Sequence, residues 1–193
     1  MSVIVAVKEN GVVYMGADSQ TTSGNKKLNS LNEAFHKIIR LKNGILIGFC
    51  GKVAVKQKML STKDLFTLND EGKLTKEHIV KRIIPKLASQ IEELSDERQG
   101  EIGGSMIIAH EDSLYRISSE LEVIKISEYV KIGAGGGFVD YRIRSLRNQD
   151  VNERILKSLV ASAKMCESVS GPYVLIDTKD KKFKIIDLKE ENY

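Results

Sequence analysis

The chain has 193 residues, of which 41% are hydrophobic and 29% are charged. This composition is sufficient to bury a core, and the length predicts one globular domain spanning residues 1–193. The 30 lysines and arginines against 26 aspartates and glutamates give a net charge of +4, with the basic residues spread along the chain. Because nucleic-acid binding depends on clustered phosphate contacts, nucleic acid is not expected as a partner.

The apolar stretches are too short to cross a membrane. Segments such as ILIGF and MIIA fall far below the roughly 20 residues that a membrane helix needs. The amino terminus has no basic segment followed by an apolar one, which predicts a cytoplasmic protein without a leader. Cys50 and Cys166 lack CxxC spacing and are too few for a disulfide framework, so we expect them to be reduced and structural.

The first fifty residues predict two β-hairpins. Asn10-Gly11 and Asn43-Gly44 each separate two apolar runs, and this arrangement is a strong hairpin signal. The polar segment 19–34 lies between the two hairpins. The four predicted strands are residues 3–8, 12–17, 37–41 and 45–49.

Helices and strands then alternate in blocks. Apolar spacing of three to four predicts helices from Gly51 to about residue 68, over 75–94, after the glycines at 135–137, and over about 152–168. Pro85 predicts a kink or break in the second of these helices. Further strands are predicted at 104–110, 113–118, 121–133 with a break near Glu128, 173–178 and 182–188.

The order of these blocks predicts the fold class. Strands, a helix pair, strands, a second helix pair and closing strands do not follow the βαβ alternation of a parallel sheet. They indicate an α+β protein in which helices cover the outer faces of two stacked antiparallel sheets. The sequence therefore predicts a four-layer αββα sandwich.

Two motifs that often mark cofactor or metal sites are incomplete. KIGAGGGF (131–138) has Phe138 where a dinucleotide-binding GxGxxG loop needs glycine, so it predicts a tight strand-to-helix turn between closely approaching backbones. His36, His78 and His110 have no metal-ligand spacing. Neither a cofactor nor a metal is expected. Spacing alone leaves a Ser/His/Asp triad open, although no GxSxG motif nominates a serine.

The amino terminus offers a different chemistry. If Met1 is removed, Ser2 carries a hydroxyl nucleophile and a free α-amine whose unperturbed pKa is about 8. The amine can accept the hydroxyl proton, and a lysine held by a carboxylate would lower the pKa of the amine. Asp18 and Lys37 lie at the ends of predicted strands and would flank Ser2 if those strands are sheet neighbours. With Met1 attached, the Ser2 nitrogen is an amide and cannot act as a base.

Segments spread over nearly the whole chain resemble one known family. They are SVIVAVKENGVVYMGADSQTTSG, HKIIRL, ILIGFCG, YVKIGAGGG and SAKMCESVSGP. In these segments and their order the chain resembles the proteasome β-type peptidases, including the bacterial HslV peptidases, within the amino-terminal-nucleophile hydrolases. The resemblance implies the same αββα sandwich.

The resemblance also implies catalytic roles. Ser2 takes the place of the usual threonine nucleophile, Lys37 lowers the pKa of the nucleophile, and Asp18 orients Lys37. The backbone N–H of Gly48 would donate to the oxyanion of the tetrahedral intermediate. Ser170 would hydrogen-bond near the nucleophile's amine.

Some positions depart from the family pattern. Ala134 stands where the proteasome branch has a serine, and Glu167 stands where it has an aspartate. Ser2 also lacks the methyl group that helps to fix a threonine hydroxyl.

The resemblance also suggests a substrate preference. Leu46, two residues before Gly48, would face the pocket for the substrate side chain, which suggests an apolar preference.

The sequence therefore predicts a self-compartmentalised peptidase that cleaves peptide bonds through an acyl-enzyme. The resemblance further implies stacked homo-oligomeric rings of six or seven subunits and an AAA+ ATPase partner. Two alternatives stay open. One is a catalytically silent structural or assembly subunit, disabled by Met1 and Ala134, and the other is a small-molecule amidase on the same fold.

Overall fold

The computed structural model describes residues 2–23, 26–29, 36–92, 103–180 and 182–188. Within these ranges the chain forms twelve strands. They are β1 (Ile4–Glu9), β2 (Val12–Asp18), β3 (Gln20–Ser23), β4 (Lys26–Asn29), β5 (Ile38–Arg40), β6 (Leu46–Gly51), β7 (Gly104–His110), β8 (Ser113–Ile117), β9 (Val123–Lys125), β10 (Tyr129–Ile132), β11 (Tyr173–Asp177) and β12 (Lys184–Ile186).

The helices fall into two groups along the chain. The first group is α1 (Val53–Ser61), α2 (Lys76–His78), a π-helical turn (Ile79–Ile83) and α3 (Ile84–Glu92). The second group is a 3-10 turn (Ala134–Phe138), α4 (Val139–Ser145) and α5 (Val151–Met165). No helix in the described ranges has the length and apolar character needed to cross a membrane.

Two five-stranded antiparallel sheets dominate the fold. The first sheet has the order β10-β1-β2-β11-β12, and the second has the order β5-β6-β7-β8-β9. In the part of the chain that the structure describes, β3 and β4 pair with each other in a separate two-stranded sheet. Every strand pair is antiparallel, as the sequence of blocks predicts.

Three apolar clusters hold the layers together. The first lies between the sheets and includes Ile4, Met15 and Leu46. The second packs α1 to α3 on the outer face of the second sheet, and the third packs α4 and α5 on the first sheet. The layers are thus helix, sheet, sheet, helix, which confirms the predicted αββα sandwich.

Both predicted hairpins are present. Asn10 and Gly11 have φ angles of 50° and 73°, the left-handed pair that a type I′ turn requires between β1 and β2. In the second hairpin the Leu41 N–H donates to the Ile45 carbonyl at 2.8 Å. The first hairpin fixes where β1 begins, and β1 begins two residues after Ser2.

The structure contains one strand pair that was not predicted, and one predicted helix ends earlier than expected. Part of the polar segment 19–34 forms β3 and β4, a pairing of polar strands that apolar alternation does not reveal. The first helix ends at Ser61 and not near residue 68. Leu65 and Phe66 beyond its end are buried in an irregular segment against the second sheet, so their apolar spacing reflects loop packing and not a helix.

The helix around Pro85 does not break. Residues 76–92 stay helical, and the turn before Pro85 widens so that the Ile84 N–H donates to the carbonyl of Ile79, five residues earlier. Pro85 has no N–H to donate, and a π-helical turn next to it accommodates the missing donor. The predicted end of this helix at residue 94 lies outside the described residues.

The long predicted strand 121–133 is interrupted before Tyr129, close to the expected break at Glu128. Its two parts belong to different sheets, because β9 pairs with β8 and β10 pairs with β1. The chain therefore crosses from one sheet to the other at this point. After β10 it enters the 3-10 turn next to the start of β1.

Candidate active site

Hydrogen bonds at the next residue, Val3, and at the Ser2 carbonyl hold Ser2 in place. The Val3 N–H donates to Asp18 Oδ1 at 2.8 Å, and the Asp18 N–H donates to the Val3 carbonyl at 3.3 Å. The Ser2 carbonyl accepts a bond from the Gly135 N–H at 3.3 Å. Residue 2 is thus fixed between the end of β2 and the glycine turn.

Asp18 and Lys37 form a buried ion pair beside Ser2. Asp18 Oδ2 lies 2.6 Å from Lys37 Nζ, and the side chains are 0% and 7% exposed. Asp18 ends β2 in the first sheet, whereas Lys37 directly precedes β5 in the second sheet. The two residues do converge, but they meet across the sandwich. Their strands are not neighbours in one sheet, which is the arrangement that the sequence analysis considered.

Burial opposes the charge on both members of this pair. Desolvation raises the pKa of Asp18, while Lys37 and the backbones of Val3 and Ser170 counteract that rise. Desolvation also lowers the pKa of Lys37, and Asp18 opposes that change. With water excluded, each charge depends on its partner and on the backbone donors around it.

A second buried lysine was not foreseen from the sequence. Lys56 on α1 is 6% exposed, and its Nζ donates to the His36 carbonyl at 3.1 Å. Burial lowers the pKa of Lys56, and the positive charge of Lys37 lowers it further. The lysine ties α1 to the residue before Lys37. No sequence motif signals this contact, which depends on how α1 packs on the sheet.

Cys50 also lies at the site, although it was expected to have only a structural role. Its Sγ and the Ser2 carbonyl oxygen both approach Gly133, since a Cβ on that glycine would lie 2.9 Å from the sulfur and 2.2 Å from the oxygen. Burial raises the pKa of the thiol to about 12. Both cysteines of the chain are free, and Cys166 lies beside Ser168 with its Sγ 3.1 Å from the serine Oγ.

Gly48 lies inside β6, between β5 and β7. A Cβ on this glycine would lie 3.0 Å from Ile4 and 3.1 Å from Met15, so the first sheet packs against its α-carbon. The Phe49 N–H donates to the carbonyl of Lys37, which lies on the β5 side of β6. Because amides alternate along a strand, the Gly48 N–H points the other way, toward β7.

The oxyanion role of Gly48 therefore stays a prediction. It requires the Gly48 amide to turn from the β6–β7 ladder, where Ile107 is its register partner, toward Ser2. Leu46 is 0% exposed in the cluster between the sheets. In this structure Leu46 contributes to the core, and its contact with a substrate side chain stays a prediction.

The segment before β11 brings Ser170 to the site, while Glu167 is at its edge. The Ser170 carbonyl accepts a bond from the Ser19 N–H at 3.3 Å, and its backbone also contacts the Asp18 carboxylate. Glu167 is exposed, and its carbonyl accepts a bond from Gln20 Nε2 at 3.1 Å. Glu167 thus meets the site through its backbone.

The glycine turn after β10 forms one wall of the site. Gly133 has a φ of +91°, and a Cβ there would lie 2.2 Å from the Ser2 carbonyl oxygen. This close approach of two backbones confirms the interpretation of the glycine run as a tight strand-to-helix entry. Ala134 follows Gly133 and offers no hydroxyl to the site.

The histidines have separate surroundings. His78 Nε2 lies 2.9 Å from Thr67 Oγ1, His110 packs on the turn at Gly44, and the His36 ring faces Phe183. In the parts of the chain that the structure describes, no group of three or more histidine, cysteine, aspartate or glutamate side chains is arranged to hold a metal ion.

Two stacked antiparallel sheets between helical layers, with a nucleophile candidate at the start of a strand, define the fold class of the amino-terminal-nucleophile hydrolases. The family model described as "Proteasome subunit" matches residues 2–165. The ATP-dependent protease subunit HslV of Brevibacillus brevis is 33% identical over 149 residues, which cover 75% of this chain and 76% of the relative. The chain therefore belongs to the proteasome family.

Solved structures agree with the fold. Thiobacillus denitrificans BPH in complex with epoxomicin superposes with a TM-score of 0.71 at 15% identity, covering 91% of this chain and 97% of that chain. Eukaryotic HslV from Trypanosoma brucei has a TM-score of 0.63 at 19% identity, covering 91% and 98%. The αββα architecture is thus shared with proteins of quite different sequence.

Proposed function

We propose that this chain is a cytoplasmic peptidase in which Ser2, freed by removal of Met1, is the nucleophile. The observation that supports this most is the buried Asp18–Lys37 pair, whose carboxylate also binds the Val3 amide. Because the same carboxylate binds the residue that follows Ser2, the proposed nucleophile would have a lysine ammonium in its surroundings. A buried ion pair without a catalytic role is often replaceable by apolar residues at no loss of stability.

The proposed reaction begins with proton transfer within Ser2. The free α-amine takes the hydroxyl proton as Oγ attacks the peptide carbonyl, and a tetrahedral intermediate forms. The amine then gives the proton to the leaving nitrogen, the C–N bond breaks, and an acyl-enzyme ester remains. A water molecule, deprotonated by the same amine, hydrolyses the ester and regenerates Ser2.

Lys37 supplies the electrostatic part of this mechanism. Its positive charge lowers the pKa of the neighbouring α-amine, so that more of the amine is unprotonated near neutral pH and able to act as a base. Asp18 keeps the ammonium in place, and the backbone of Ser170 supports Asp18. Glu167 is exposed at the edge of the site, and its backbone carbonyl would support the site by accepting the bond from Gln20.

We also propose that the chain assembles into stacked homo-oligomeric rings of six or seven subunits and works with an AAA+ ATPase. The Brevibacillus brevis relative is named as a subunit of an ATP-dependent protease, which supports assembly with other subunits and dependence on ATP. Within such a ring the sites face an internal chamber, and substrates reach them only after unfolding. Protein and peptide substrates are therefore proposed.

The test compares two forms of the same protein. One form is produced with a cleavable amino-terminal fusion, so that cleavage leaves Ser2 as the first residue, and the other retains Met1. Intact mass identifies each form, and short fluorogenic peptides report hydrolysis. We expect turnover only from the form that begins with Ser2.

Two variants of the Ser2-first form separate the possible outcomes. Ser2→Ala keeps the free amine and removes the hydroxyl, and Lys37→Ala removes the cation, so each should abolish hydrolysis while rings persist. Turnover that survives Ser2→Ala refutes Ser2 as nucleophile. Assembled rings of the Ser2-first form that cleave no peptide favour the silent assembly subunit, consistent with Ala134.

A further inference from the structure

Lys56 is the polar residue on the buried face of α1. The buried residues of this helix are Val55, Lys56 and Met59, and Lys56 is only 6% exposed. Its Nζ donates to the His36 carbonyl at 3.1 Å. The lysine therefore extends from the helical layer to the chain just before β5, where Lys37 lies.

The carbonyl that Lys56 binds belongs to the peptide unit that joins His36 to Lys37. A peptide unit is planar, so a bond to its oxygen also restricts the nitrogen and the α-carbon of Lys37. The next peptide unit is held as well, because the Lys37 carbonyl accepts a bond from the Phe49 N–H at 3.0 Å. The α-carbon of Lys37 thus lies between two anchored peptide units, one tied to α1 and the other to β6.

Anchoring at this α-carbon matters because the Lys37 side chain is long. A lysine ammonium sits on a flexible four-carbon stem, which has many rotamers unless both ends are held. At the far end, Lys37 Nζ lies 2.6 Å from Asp18 Oδ2. The two peptide units at the base and the carboxylate at the tip together restrict the side chain to one path across the sandwich.

The position of Lys56 is costly for stability alone. Burial removes water from its ammonium and the charge of Lys37 repels it, and both effects lower the pKa of Lys56. An apolar side chain would pack beside Val55 and Met59 without either cost. The lysine supplies what an apolar residue cannot, which is a donor for the His36 carbonyl.

We propose that Lys56 is a positioning residue that fixes the backbone at Lys37 and thereby directs the Lys37 ammonium to Asp18. This inference rests on the proposed function of Ser2 and Lys37 for its catalytic consequence. Lys56 acts through the His36 carbonyl and not on the reacting atoms. Lys37 is then supported by three elements: α1 at the preceding carbonyl, β6 at its own carbonyl, and β2 at its ammonium.

Peptide hydrolysis by variants of the Ser2-first form tests the proposal. Lys56→Met keeps an apolar stem but removes the donor, so kcat should fall about tenfold while KM changes less than about twofold, the pattern of an interaction used in the transition state. Lys56→Arg retains a donor and should recover most of the lost kcat. Equal losses in both variants would overturn the proposal, because the donor would then not matter.

Met59→Ala is the matched control on the same face of α1. Met59 is 2% exposed in the apolar cluster under the helix, so its truncation weakens packing without removing the donor to His36. Urea unfolding should show a loss of stability for Met59→Ala, while its kcat stays unchanged. If Met59→Ala lowers kcat as much as Lys56→Met does, general packing of α1 explains the effect and the proposal is wrong.

A readout without turnover keeps this test independent of the proposed function. Crystal structures should show the Lys37 ammonium 2.6 Å from Asp18 in the parent protein, and displaced or in several rotamers in Lys56→Met. If no form hydrolyses peptides, the peptidase proposal fails, while these structures still decide whether Lys56 positions Lys37. An unmoved peptide unit before Lys37 and an intact ion pair in Lys56→Met refute the positioning role.

Discussion

Two ion pairs of the same length show how burial changes the meaning of a salt bridge. Asp18–Lys37 and Glu77–Lys81 both have a shortest N–O distance of 2.6 Å. The first pair has side chains 0% and 7% exposed, whereas those of the second pair are 73% and 69% exposed. Water can replace a lost partner in the second pair only.

This contrast gives the first prediction. Asp18→Asn leaves the Lys37 ammonium buried without its counter-charge, so the free energy of unfolding should fall by about 3–5 kcal/mol. Glu77→Gln in the surface pair should cause no measurable change. Urea unfolding at a fixed protein concentration measures both, and equal effects of the two substitutions would contradict the argument.

The Cys50 thiol gives a prediction about alkaline pH. The unfolded thiol, with a pKa near 9.0, loses its proton at lower pH than the folded thiol, whose pKa is about 12. As the pH rises through this window, the unfolded state gains stability and the folded state does not. The contribution of the thiol is therefore complete below pH 9 and declines above it.

Relative to Cys50→Ala, the parent protein should lose about 1.4 kcal/mol of unfolding free energy per pH unit within that window. Denaturation at pH 8 and pH 10.5 measures the difference between the two proteins. Titration of lysines and tyrosines cancels in that difference because both proteins contain them. A difference that is constant with pH would contradict the raised pKa.

At the scale of elements, local patterns predicted what local chemistry determines. Asn10-Gly11 identifies its hairpin because few other dipeptides adopt two left-handed residues so readily. The separation of β9 from β10 into different sheets has no local signature, since both are short apolar runs. The β3–β4 pair was missed for a similar reason, because its polar strands show no apolar alternation.

The candidate site divides in the same way. Ser2 could be nominated from its chemistry, and Asp18 and Lys37 from their predicted strand ends and a family resemblance. Their meeting across two sheets, however, depends on long-range packing. Lys56 and Cys50 were not nominated because nothing near them in the sequence distinguishes a site residue from a core residue. Their significance comes from the packing of β6 against β1 and from the contact of α1 with the residue before Lys37.

The contact between β2 and α5 gives a prediction at this scale. A Cβ on Gly16 would lie 2.4 Å from a methyl group of Ile155 and 2.6 Å from one of Leu175. Gly16→Ala should therefore force the helix from the sheet and destabilise the protein by about 1–3 kcal/mol. Thermal and urea unfolding measure the change.

Gly137 offers a matched control. Among the described residues, no atom beyond the glycine's own neighbours in the helix lies within 4 Å of the position that its Cβ would occupy, and its φ is not in the left-handed range. Gly137→Ala should leave stability unchanged or raise it slightly, because alanine restricts the unfolded chain. If both alanine variants have the same stability, close packing at Gly16 does not explain its glycine.

At the scale of the whole molecule, the helical layers retain exposed apolar side chains. In the α4–α5 layer Tyr141 is 76% exposed and Met165 is 65% exposed, and on the opposite layer Val80 is 45% exposed. Scattered apolar residues are common on protein surfaces and do not by themselves locate an interface. The proposed rings must nevertheless bury part of this outer surface, since every subunit contacts its neighbours.

Assembly therefore gives the last prediction. The purified chain of 21.5 kDa should sediment as a closed particle of two stacked rings, each with six or seven copies, and not as a monomer. Peptide hydrolysis by the Ser2-first form should co-migrate with that particle, because the proposed sites face its chamber. Ser2→Ala should form the same particle without turnover, since Ser2 supports chemistry and not subunit contacts. A monomer that hydrolyses small amides as fast as any ring fraction would contradict self-compartmentalisation and favour the amidase alternative.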